Sequence, residues 1–330
     1  MQNHRVVWPQ QGIARLESFE VPVPAADEVL IRTRVSLISP GTERAFFLRL
    51  PNAAAEFPLY PGYSLVGEVS EVGAQVHEFK IGDRIAAAAS HTGCAVVKAA
   101  GGVLIPDDVG DDDAAFFMLG AIALQGVRKA HLELGEAVIV MGAGLVGVLA
   151  MQLAKSNGGL PVICIDQDEH RLAFALEAGA DAVLAADENL TQSINDLCGT
   201  GGATVVIEAT GNPHAILTAF ALAQRGGRVV LLGSTRGETE HVNFYRDVHQ
   251  KGLTILGAHN SARPLHDSAA GRWTLHDDQE VVLKLLSSRR MNVHSLITHR
   301  FVWQQAADAY ALLAQAGGNT QGILLDWQGS

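Results

Sequence analysis

The sequence predicts an α/β protein in which a β-rich domain accompanies a doubly wound parallel sheet. The first 110 residues contain short alternating segments, which are typical of strands, whereas the middle of the chain alternates apolar strand-like runs with helical patterns. A final segment then mixes helices and strands. The chain has 330 residues, more than a single hydrophobic core usually supports, so we expect two domains.

The β-rich part is predicted from residues that alternate between apolar and polar. Residues 28–36 and 65–72 alternate as half-buried strands do, and residues 82–86 begin a third strand. The acidic residues of 107–113 fit the start of a long apolar helix predicted over 114–129, because carboxylates favour the positive end of a helix dipole. Cys94 follows a glycine in a predicted loop.

The middle of the chain has the rhythm of a parallel sheet with helices on both faces. Six strand-like runs separated by helical patterns fall at 138–141, 162–166, 182–185, 205–209, 229–233 and 254–258. Beyond residue 259 the pattern predicts a helix over 277–288, a strand over 296–301, a helix over 304–316 and a strand over 322–327. We expect this last segment to return to the first domain.

The first strand of the middle region leads into Gly142-Ala-Gly144-Leu-Val-Gly147 and a helix predicted over 145–157. In a βαβ unit the first glycine permits a tight turn, the second lets the backbone approach a pyrophosphate, and the third lets helix and strand pack closely. Asp166 ends the next strand about 20 residues later, where an acid binds a ribose diol and repels a 2′-phosphate. This pattern predicts a Rossmann dinucleotide site that takes NAD rather than NADP.

Further residues at strand ends complete the predicted cofactor site, since open α/β sheets bind ligands there. Arg171 lies on the helix after Asp166, where it either meets a phosphate or is a solvated helix residue. The predicted cofactor-binding residues are Gly142, Gly144, Leu145, Val146, Gly147, Asp166, Gln167, Arg171, Ala209, Thr210, Gly233, Ala258 and His259.

Composition excludes several classes of partner. The formal charge is −11, and no basic run offers a footprint for nucleic acid. Apolar stretches are strand-sized or interrupted by glycine, which is too short for a membrane span, and residues 1–27 lack a signal-peptide pattern. We therefore expect a cytoplasmic location. The three cysteines include no Cys-x-x-Cys pair, which excludes a zinc lobe of four thiolates, and Cys164 is predicted to be a small buried hydrophobe.

Six segments, in this order, resemble the medium-chain dehydrogenase/reductase superfamily, specifically its alcohol and polyol dehydrogenase group. They are Val35-Ser-Leu-Ile-Ser-Pro-Gly-Thr-Glu43, Pro58-Leu-Tyr-Pro-Gly-Tyr-Ser-Leu-Val-Gly-Glu68, Gly82-Asp-Arg84, the glycine motif 142–147, Glu208-Ala-Thr-Gly211 and Leu296-Ile-Thr-His299. The resemblance implies a GroES-like catalytic domain over 1–118, a Rossmann NAD-binding domain over 119–269, a return to the catalytic domain over 270–330, and an active site in the cleft between the domains. It also implies a small-molecule substrate and a homodimer or homotetramer.

The sequence departs from the zinc-dependent relatives at each ligand position. Where those relatives carry a cysteine, this chain has Ser39-Pro-Gly-Thr-Glu43, and where they carry Gly-His-Glu it has Gly62-Tyr63-Ser64. The third ligand position falls among Phe117-Met-Leu-Gly120. Catalytic zinc needs three protein donors and an open position. We therefore expect no metal site.

Without a metal, a side chain must transfer the proton of the substrate hydroxyl. The candidate catalytic residues are His259, Tyr63, Thr42 and Glu43. Imidazole titrates near neutrality, which favours His259, and Tyr63 stands where relatives have a ligand histidine and fits a donor to a carbonyl. The resemblance aligns Thr42 with a proton-relay residue and Glu43 with an acid that orients the metal site.

Several polar segments remain open to two interpretations. Residues 243–252, with Arg263 and Trp273, fit either a surface that stacks on a polyhydroxylated ligand or a plain surface or dimer contact. His91 and Lys98 are weaker catalytic candidates in a predicted loop.

Together these patterns predict a zinc-independent oxidoreductase that transfers hydride between a secondary alcohol, such as a sugar, polyol or cyclitol, and NAD. Two alternatives stay open: an NAD(P)H-dependent quinone or enoyl reductase of the same superfamily, and a non-catalytic NAD(H)-binding protein. Asp166 argues against the first, because such reductases mostly use NADPH. The polar set of candidate residues argues against the second.

Overall fold

A computed structural model of the chain describes residues 2–199, 201–315 and 320–328, which divide into two compact units. Unit 1 comprises 1–119, 279–289 and 296–330, and unit 2 comprises 120–278 and 290–295, within the described residues. The sequence placed the end of the second domain at 269. Unit 2 extends to Asp278, whose carboxylate pairs with Arg128 and Arg263 of the same unit.

Unit 1 begins with strands and short helices. They are β1 Gln2–Gln10, β2 Ile13–Glu20, β3 Glu28–Ile38, α1 Pro40–Phe47, β4 Leu65–Val72, β5 Arg84–Ala87, β6 Cys94–Lys98, β7 Gly102–Leu104 and α2 Asp111–Ala114. Strands β1 and β2 form a separate antiparallel hairpin, while β3, β4, β5 and β7 follow one another in an antiparallel sheet and β6 also pairs with β3. Cys94 therefore begins a strand, not the predicted loop.

The helix predicted over 114–129 is two helices, α2 and α3 Phe117–Lys129. The break has a local cause. The N–H of Phe116 bonds to the carbonyl of Asp113 at 3.1 Å, one residue closer in sequence than the helical partner, so the backbone tightens between the two helices.

Unit 2 contains a six-stranded parallel sheet. Its elements are β8 Val138–Met141, α4 Leu145–Ser156, β9 Val162–Asp166, α5 Glu169–Glu177, β10 Ala182–Ala185, α6 Leu190–Cys198, β11 Ala203–Glu208, α7 Ala215–Leu222, β12 Ala223–Leu231 and β13 Thr254–Gly257. The strand order is β10-β9-β8-β11-β12-β13, which is the doubly wound order. The order reverses between β8 and β11, so their carboxyl ends flank the crevice where such sheets bind ligands.

The remaining elements are α8 Leu275–Ser287, β14 Ile297–Val302, α9 Ala306–Gln315 and β15 Gly322–Asp326. Strand β15 pairs antiparallel with β3 and parallel with β14, so this segment completes the sheet of unit 1. The last residue of the predicted helix 304–316 lies outside the described residues. Within those residues, no helix is long and apolar enough to cross a membrane.

The core of unit 2 explains why its strands read as continuous apolar runs. Buried residues of β8, β9, β11 and β12 pack with Ile194 of α6 and Phe220 of α7. Cys164, in the middle of β9, is fully buried, as predicted. Burial, with a smaller contribution from the charge of Asp166, raises the pKa of the Cys164 thiol to about 12.

Replacement of Cys164 by valine should reduce the alkaline sensitivity of the fold. Between about pH 9 and 12 the unfolded chain ionises this thiol whereas the folded chain keeps it protonated, so stability falls as pH rises. Each pH unit in this window costs about 1.4 kcal/mol of unfolding free energy for one such group. Urea unfolding of both proteins at pH 7.5 to 10.5 measures the difference, and parallel pH curves for the two proteins would contradict it.

Candidate functional site

The turn after β8 gives its three glycines three different roles. Gly142 has a φ of 95°, and a Cβ there would lie 2.9 Å from the backbone nitrogen of Thr210. A Cβ on Gly147 would lie 1.7 Å from the carbonyl oxygen of Gly142. A Cβ on Gly144 would meet nothing within 4 Å. Gly142 and Gly147 are thus required by the fold, whereas Gly144 leaves open space beside the backbone.

That open space lies at the N-terminus of α4, which Gly144 caps. The first ladder bond of the helix joins the N–H of Val148 to the carbonyl of Gly144 at 2.9 Å. The N–H groups of Leu145, Val146 and Gly147 precede that ladder, and a helix terminus directs such groups at an anion. The N-terminus of α4, with the open space beside Gly144, therefore fits a dinucleotide pyrophosphate.

Asp166, at the end of β9, is drawn back onto the glycine turn. Its Oδ2 accepts the N–H of Ala143 at 2.7 Å and its Oδ1 accepts the N–H of Asp168 at 3.0 Å. The Nη1 of Arg171 lies 4.0 Å from Oδ2, and Gln167 is exposed next to Asp166 in the chain. Each carboxylate oxygen still has a lone pair for a ribose hydroxyl.

The ends of β11 and β12 meet the same turn. The N–H of Ala209 bonds to the carbonyl of Met141 at 2.8 Å, Thr210 touches Gly142, and Gly233 is close enough that a Cβ would lie 2.6 Å from the nitrogen of Gly211. Four predicted cofactor residues, Gly142, Ala209, Thr210 and Gly233, are therefore neighbours.

Glu208 is a buried acid at this edge that the sequence analysis did not single out as a site residue. Its Oε1 accepts the backbone N–H of Thr210 at 2.7 Å and also the Thr210 hydroxyl. Burial raises the pKa of its carboxyl group. An acid that ends an otherwise apolar strand was the available sequence signal.

His259 follows β13 and is exposed, while the preceding Ala258 is buried. The Nδ1 atom accepts the backbone N–H of Ser261 at 3.2 Å and lies 2.7 Å from the Ser261 hydroxyl oxygen. The carbonyl of His259 accepts the side-chain amide of Gln125 at 3.0 Å. The bond from the Ser261 backbone needs a lone pair on Nδ1 and fits a neutral ring with its proton on Nε2, whereas the contact with the Ser261 hydroxyl fits either tautomer. Ser261 and Gln125 were not predicted, since nothing in the sequence links them to this histidine.

Glu43, on α1, is a buried centre of hydrogen bonds in unit 1. Its Oε1 accepts the N–H of Ser39 at 2.7 Å, and its Oε2 accepts the hydroxyl of Tyr310 and lies 3.1 Å from Nε2 of His91. Burial, reinforced by the Glu43 charge, raises the pKa of Tyr310 well above its ordinary value.

His91 is fully buried and does not line a surface loop, contrary to the expectation from sequence. Its Nδ1 lies 2.8 Å from the hydroxyl oxygen of Ser36, which accepts the indole N–H of Trp327 at 2.9 Å. Lys98 lies on β6 rather than in a loop and pairs with Asp27 at 2.8 Å. These contacts assign both residues to the scaffold of unit 1.

Tyr63 and Thr42 are half-buried residues of unit 1. Tyr63 is close enough to Tyr310 to add to the rise of its pKa. The preceding Gly62 packs on His91 so closely that a Cβ would lie 2.7 Å from the imidazole ring. The structure thus brings Tyr63 near the Glu43 network and Thr42 next to Glu43 on α1, whereas His259 belongs to unit 2.

The polar segment 243–252 contains a π-helical turn, Phe244–His249, on which Phe244 and Tyr245 are exposed. Arg263, in contrast, is not available for stacking on a ligand. Its side chain is only 5% exposed and donates to the Asp278 carboxylate and to the carbonyl of Ala121 at 2.6 Å.

Comparisons with known proteins agree with this architecture. The family model described as an alcohol dehydrogenase GroES-like domain matches residues 25–110, and the model described as a zinc-binding dehydrogenase matches residues 146–270. An Escherichia coli protein named an uncharacterized zinc-type alcohol dehydrogenase-like protein is 29% identical over 93% of this chain and 94% of its own. Human sorbitol dehydrogenase is 26% identical over 91% of this chain and 89% of its own.

Among solved structures, an Escherichia coli oxidoreductase/dehydrogenase of unknown specificity superimposes with a TM-score of 0.87 at 22% identity, covering 99% of both chains. The matches define a pairing of a GroES-like domain with a Rossmann-type domain, which confirms the predicted fold class. The chain belongs to the medium-chain dehydrogenase/reductase superfamily of oxidoreductases, as the six segments predicted.

The name of the matched dehydrogenase model refers to zinc, but the described residues offer no donor set that fits this metal. Across residues 2–199, 201–315 and 320–328, no three His, Cys, Asp or Glu side chains are grouped closely enough to hold a metal ion. The resemblance sets the stretch Ser39-Pro-Gly-Thr-Glu43 and Tyr63 against two ligand positions of the zinc-dependent relatives, and neither supplies a thiol or an imidazole.

Substitution of Gly147 by alanine should destabilise the fold, because the new methyl group would overlap the carbonyl oxygen of Gly142. Overpacking of this kind lowers the free energy of unfolding by about 1–3 kcal/mol. We expect a loss at the upper end of that range, because the opposing atom belongs to the backbone. Gly144→Ala is the matched control in the same turn, with open space around the added methyl group and an expected loss below about 1 kcal/mol, because alanine is a poorer N-cap than glycine. Denaturant unfolding of both variants tests the pair, and equal losses would contradict the assignment of roles.

Proposed function

We propose that this protein is a zinc-independent, NAD-dependent oxidoreductase that interconverts a secondary alcohol and a ketone. The observation that carries the proposal is the Asp166 carboxylate, held 2.7 Å from the N–H of Ala143 in the glycine turn. An acid at that place binds a ribose diol and disfavours the additional phosphate of NADP. Membership of an oxidoreductase superfamily supports the reaction class.

The residues around the turn would hold the cofactor in distinct ways. The open space at Gly144 and the N–H groups at the start of α4 fit the pyrophosphate, and Asp166 fits the adenosine ribose. Ala209, Thr210, Gly233 and Ala258 supply backbone at the neighbouring strand ends. A nicotinamide bound there would supply the acceptor or donor for the hydride of the substrate carbon.

The hydroxyl proton requires a separate acceptor, and His259 is the favoured one. When the ring proton is on Nδ1, this N–H donates a hydrogen bond to the hydroxyl oxygen of Ser261, 2.7 Å away. The longer hydrogen bond from the backbone N–H of Ser261 to Nδ1 is then lost. Nε2 is then free to take the proton from an alcohol, or to return it to a ketone oxygen in the reverse direction. Ser261 is thus a positioning residue, and Tyr63 is the second candidate donor.

The proposed substrate is a secondary alcohol such as a sugar, polyol or cyclitol. Support comes from the similarity along nearly the whole chain to human sorbitol dehydrogenase, whose name specifies a polyol. Zinc independence is supported by the replacement of the expected ligands and by the lack of a metal-binding group in the part of the chain that the structure describes.

Replacement of Asp166 tests the cofactor. Asp166→Asn keeps an acceptor for Ala143 but removes the charge, so NADH affinity should fall about tenfold or more through loss of charge-assisted hydrogen bonds, while NADPH affinity stays constant or rises. Titration of protein fluorescence with both nucleotides measures the two dissociation constants. Asp187→Asn, at an exposed position in unit 2, is the control. An equal effect on both nucleotides would refute the assignment, and a wild-type preference for NADPH would favour the reductase alternative.

Replacement of His259 tests the proton transfer. His259→Ala should lower kcat about 100-fold or more with little change in NADH affinity, because general acid–base catalysis contributes roughly 10²–10⁴-fold. Ser261→Ala should lower kcat less and shift its pH profile, since it removes only the hydroxyl that orients the ring. Polyol oxidation followed by NADH absorbance, before and after EDTA dialysis, gives these rates. Full activity in both His259→Ala and Tyr63→Phe would rule out the mechanism, and loss of activity in EDTA would rule out zinc independence.

A further inference from the structure

Unit 2 has a pocket next to the loop that follows His259. One wall is the end of α3, with Gln125, Arg128 and Lys129, and the other is the loop and helix start that carry Arg263, Arg272 and Trp273. None of these residues belongs to the glycine turn or to the strand ends that form the predicted nucleotide site. The proposed function therefore leaves the chemistry of this pocket unexplained.

The pocket carries more positive charge than its own acid neutralises. Asp278 is fully buried and is shared between two guanidinium groups, accepting from Nε of Arg128 at 2.7 Å and from Arg263. The side chains of Lys129 and Arg272 line the same pocket, and within the described ranges neither has a hydrogen-bond or ion-pair partner. In a protein with a formal charge of −11, such a concentration of unpaired cations selects for an anion.

A structural explanation accounts for only part of this arrangement. Arg128 and Lys129 lie in the last turn of α3, where cations stabilise the negative end of the helix dipole. Arg272, however, reaches the pocket from a separate loop and gains nothing from that dipole. Like charges brought together from two elements repel one another unless a counter-charge lies between them.

One of the residues that line the pocket, Gln125, also has a side-chain acceptor without a donor. Gln125 is 4% exposed, and its side-chain nitrogen donates to the carbonyl of His259 at 3.0 Å, while its Oε1 is buried without a hydrogen-bond partner in the described structure. A buried, unsatisfied carbonyl is costly, and a ligand hydroxyl would satisfy it. One face of the Trp273 ring is covered by Arg128, at 3.9 Å from the ring centre, which fixes the wall of the pocket.

We propose that this pocket binds a small organic anion that carries a hydroxyl group near its carboxylate or phosphate. The anionic group contacts Lys129 and Arg272, and the hydroxyl donates to Oε1 of Gln125. Because the same Gln125 side chain holds the backbone of His259, the bound anion is coupled to the candidate catalytic histidine through one amide. Binding itself requires neither nucleotide nor turnover, so the inference goes beyond the proposed function.

Calorimetric titration of the full chain, without nucleotide and at low ionic strength, tests the ligand class. The probes are glycerate, propionate, glycerol 3-phosphate, propyl phosphate and glycerol. Glycerate or glycerol 3-phosphate should bind roughly tenfold more tightly than its partner without hydroxyls, and uncharged glycerol should not bind. The better of the two hydroxylated probes identifies carboxylate or phosphate as the anionic group. Equal binding of hydroxylated and plain anions would overturn the role of Gln125, and no binding of any anion would overturn the site.

Single substitutions locate the binding. Lys129→Gln and Arg272→Gln should each weaken the preferred probe about tenfold, because each removes a charge-assisted contact. Both side chains lack partners in the described structure, so the variants should fold. Arg225→Gln, which removes one positive charge from an exposed position elsewhere in unit 2, is the matched control and should bind normally. Equal affinity in the control and in the two pocket variants would contradict the proposal.

Discussion

The backbone contact between Gly147 and the carbonyl of Gly142 is the constraint on which the nucleotide site depends. No side chain larger than hydrogen fits at Gly147, because a Cβ would lie 1.7 Å from that oxygen. The contact sets the start of α4 against the end of β8. It thereby places the N–H of Ala143 within reach of Asp166 and the turn within reach of Thr210. The predicted contacts of pyrophosphate and ribose thus follow from one close approach of helix to strand.

In unit 1 a single carboxylate has the comparable organising role. A buried charge is tolerated only when hydrogen bonds replace its lost hydration. Glu43 obtains them from Ser39, His91 and Tyr310, which belong to three separate segments of the chain. Removal of any donor leaves part of a buried charge unsatisfied. Glu43, a candidate catalytic residue from the sequence, is therefore also a structural centre of its unit.

The sequence predicted what is determined locally. The glycine spacing and the apolar runs of β8, β9 and β10 gave strand limits that agree with the structure, because neighbouring residues alone determine them. Helix α1 was missed, since it begins with Pro-Gly-Thr, which is typical of a turn, and depends on Glu43 to bond the N–H of Ser39. The burial of His91 and the Ser261 contact of His259 were missed as well. The first depends on residues far apart in sequence, and the second on the backbone path after β13.

The insertion of unit 2 within unit 1 has a consequence for the order of assembly. Strand β3 acquires its partner β15, and Glu43 its Tyr310 donor, from segments that a ribosome makes about 270–290 residues later. Until then the first 119 residues lack one flank of their sheet, and the carboxyl group of Glu43 lacks one of its hydrogen-bond donors. The parallel sheet of unit 2 needs no residue beyond its own range for strand pairing. The strands of the unit 2 sheet are therefore all synthesised before β15, the strand that the sheet of unit 1 still needs.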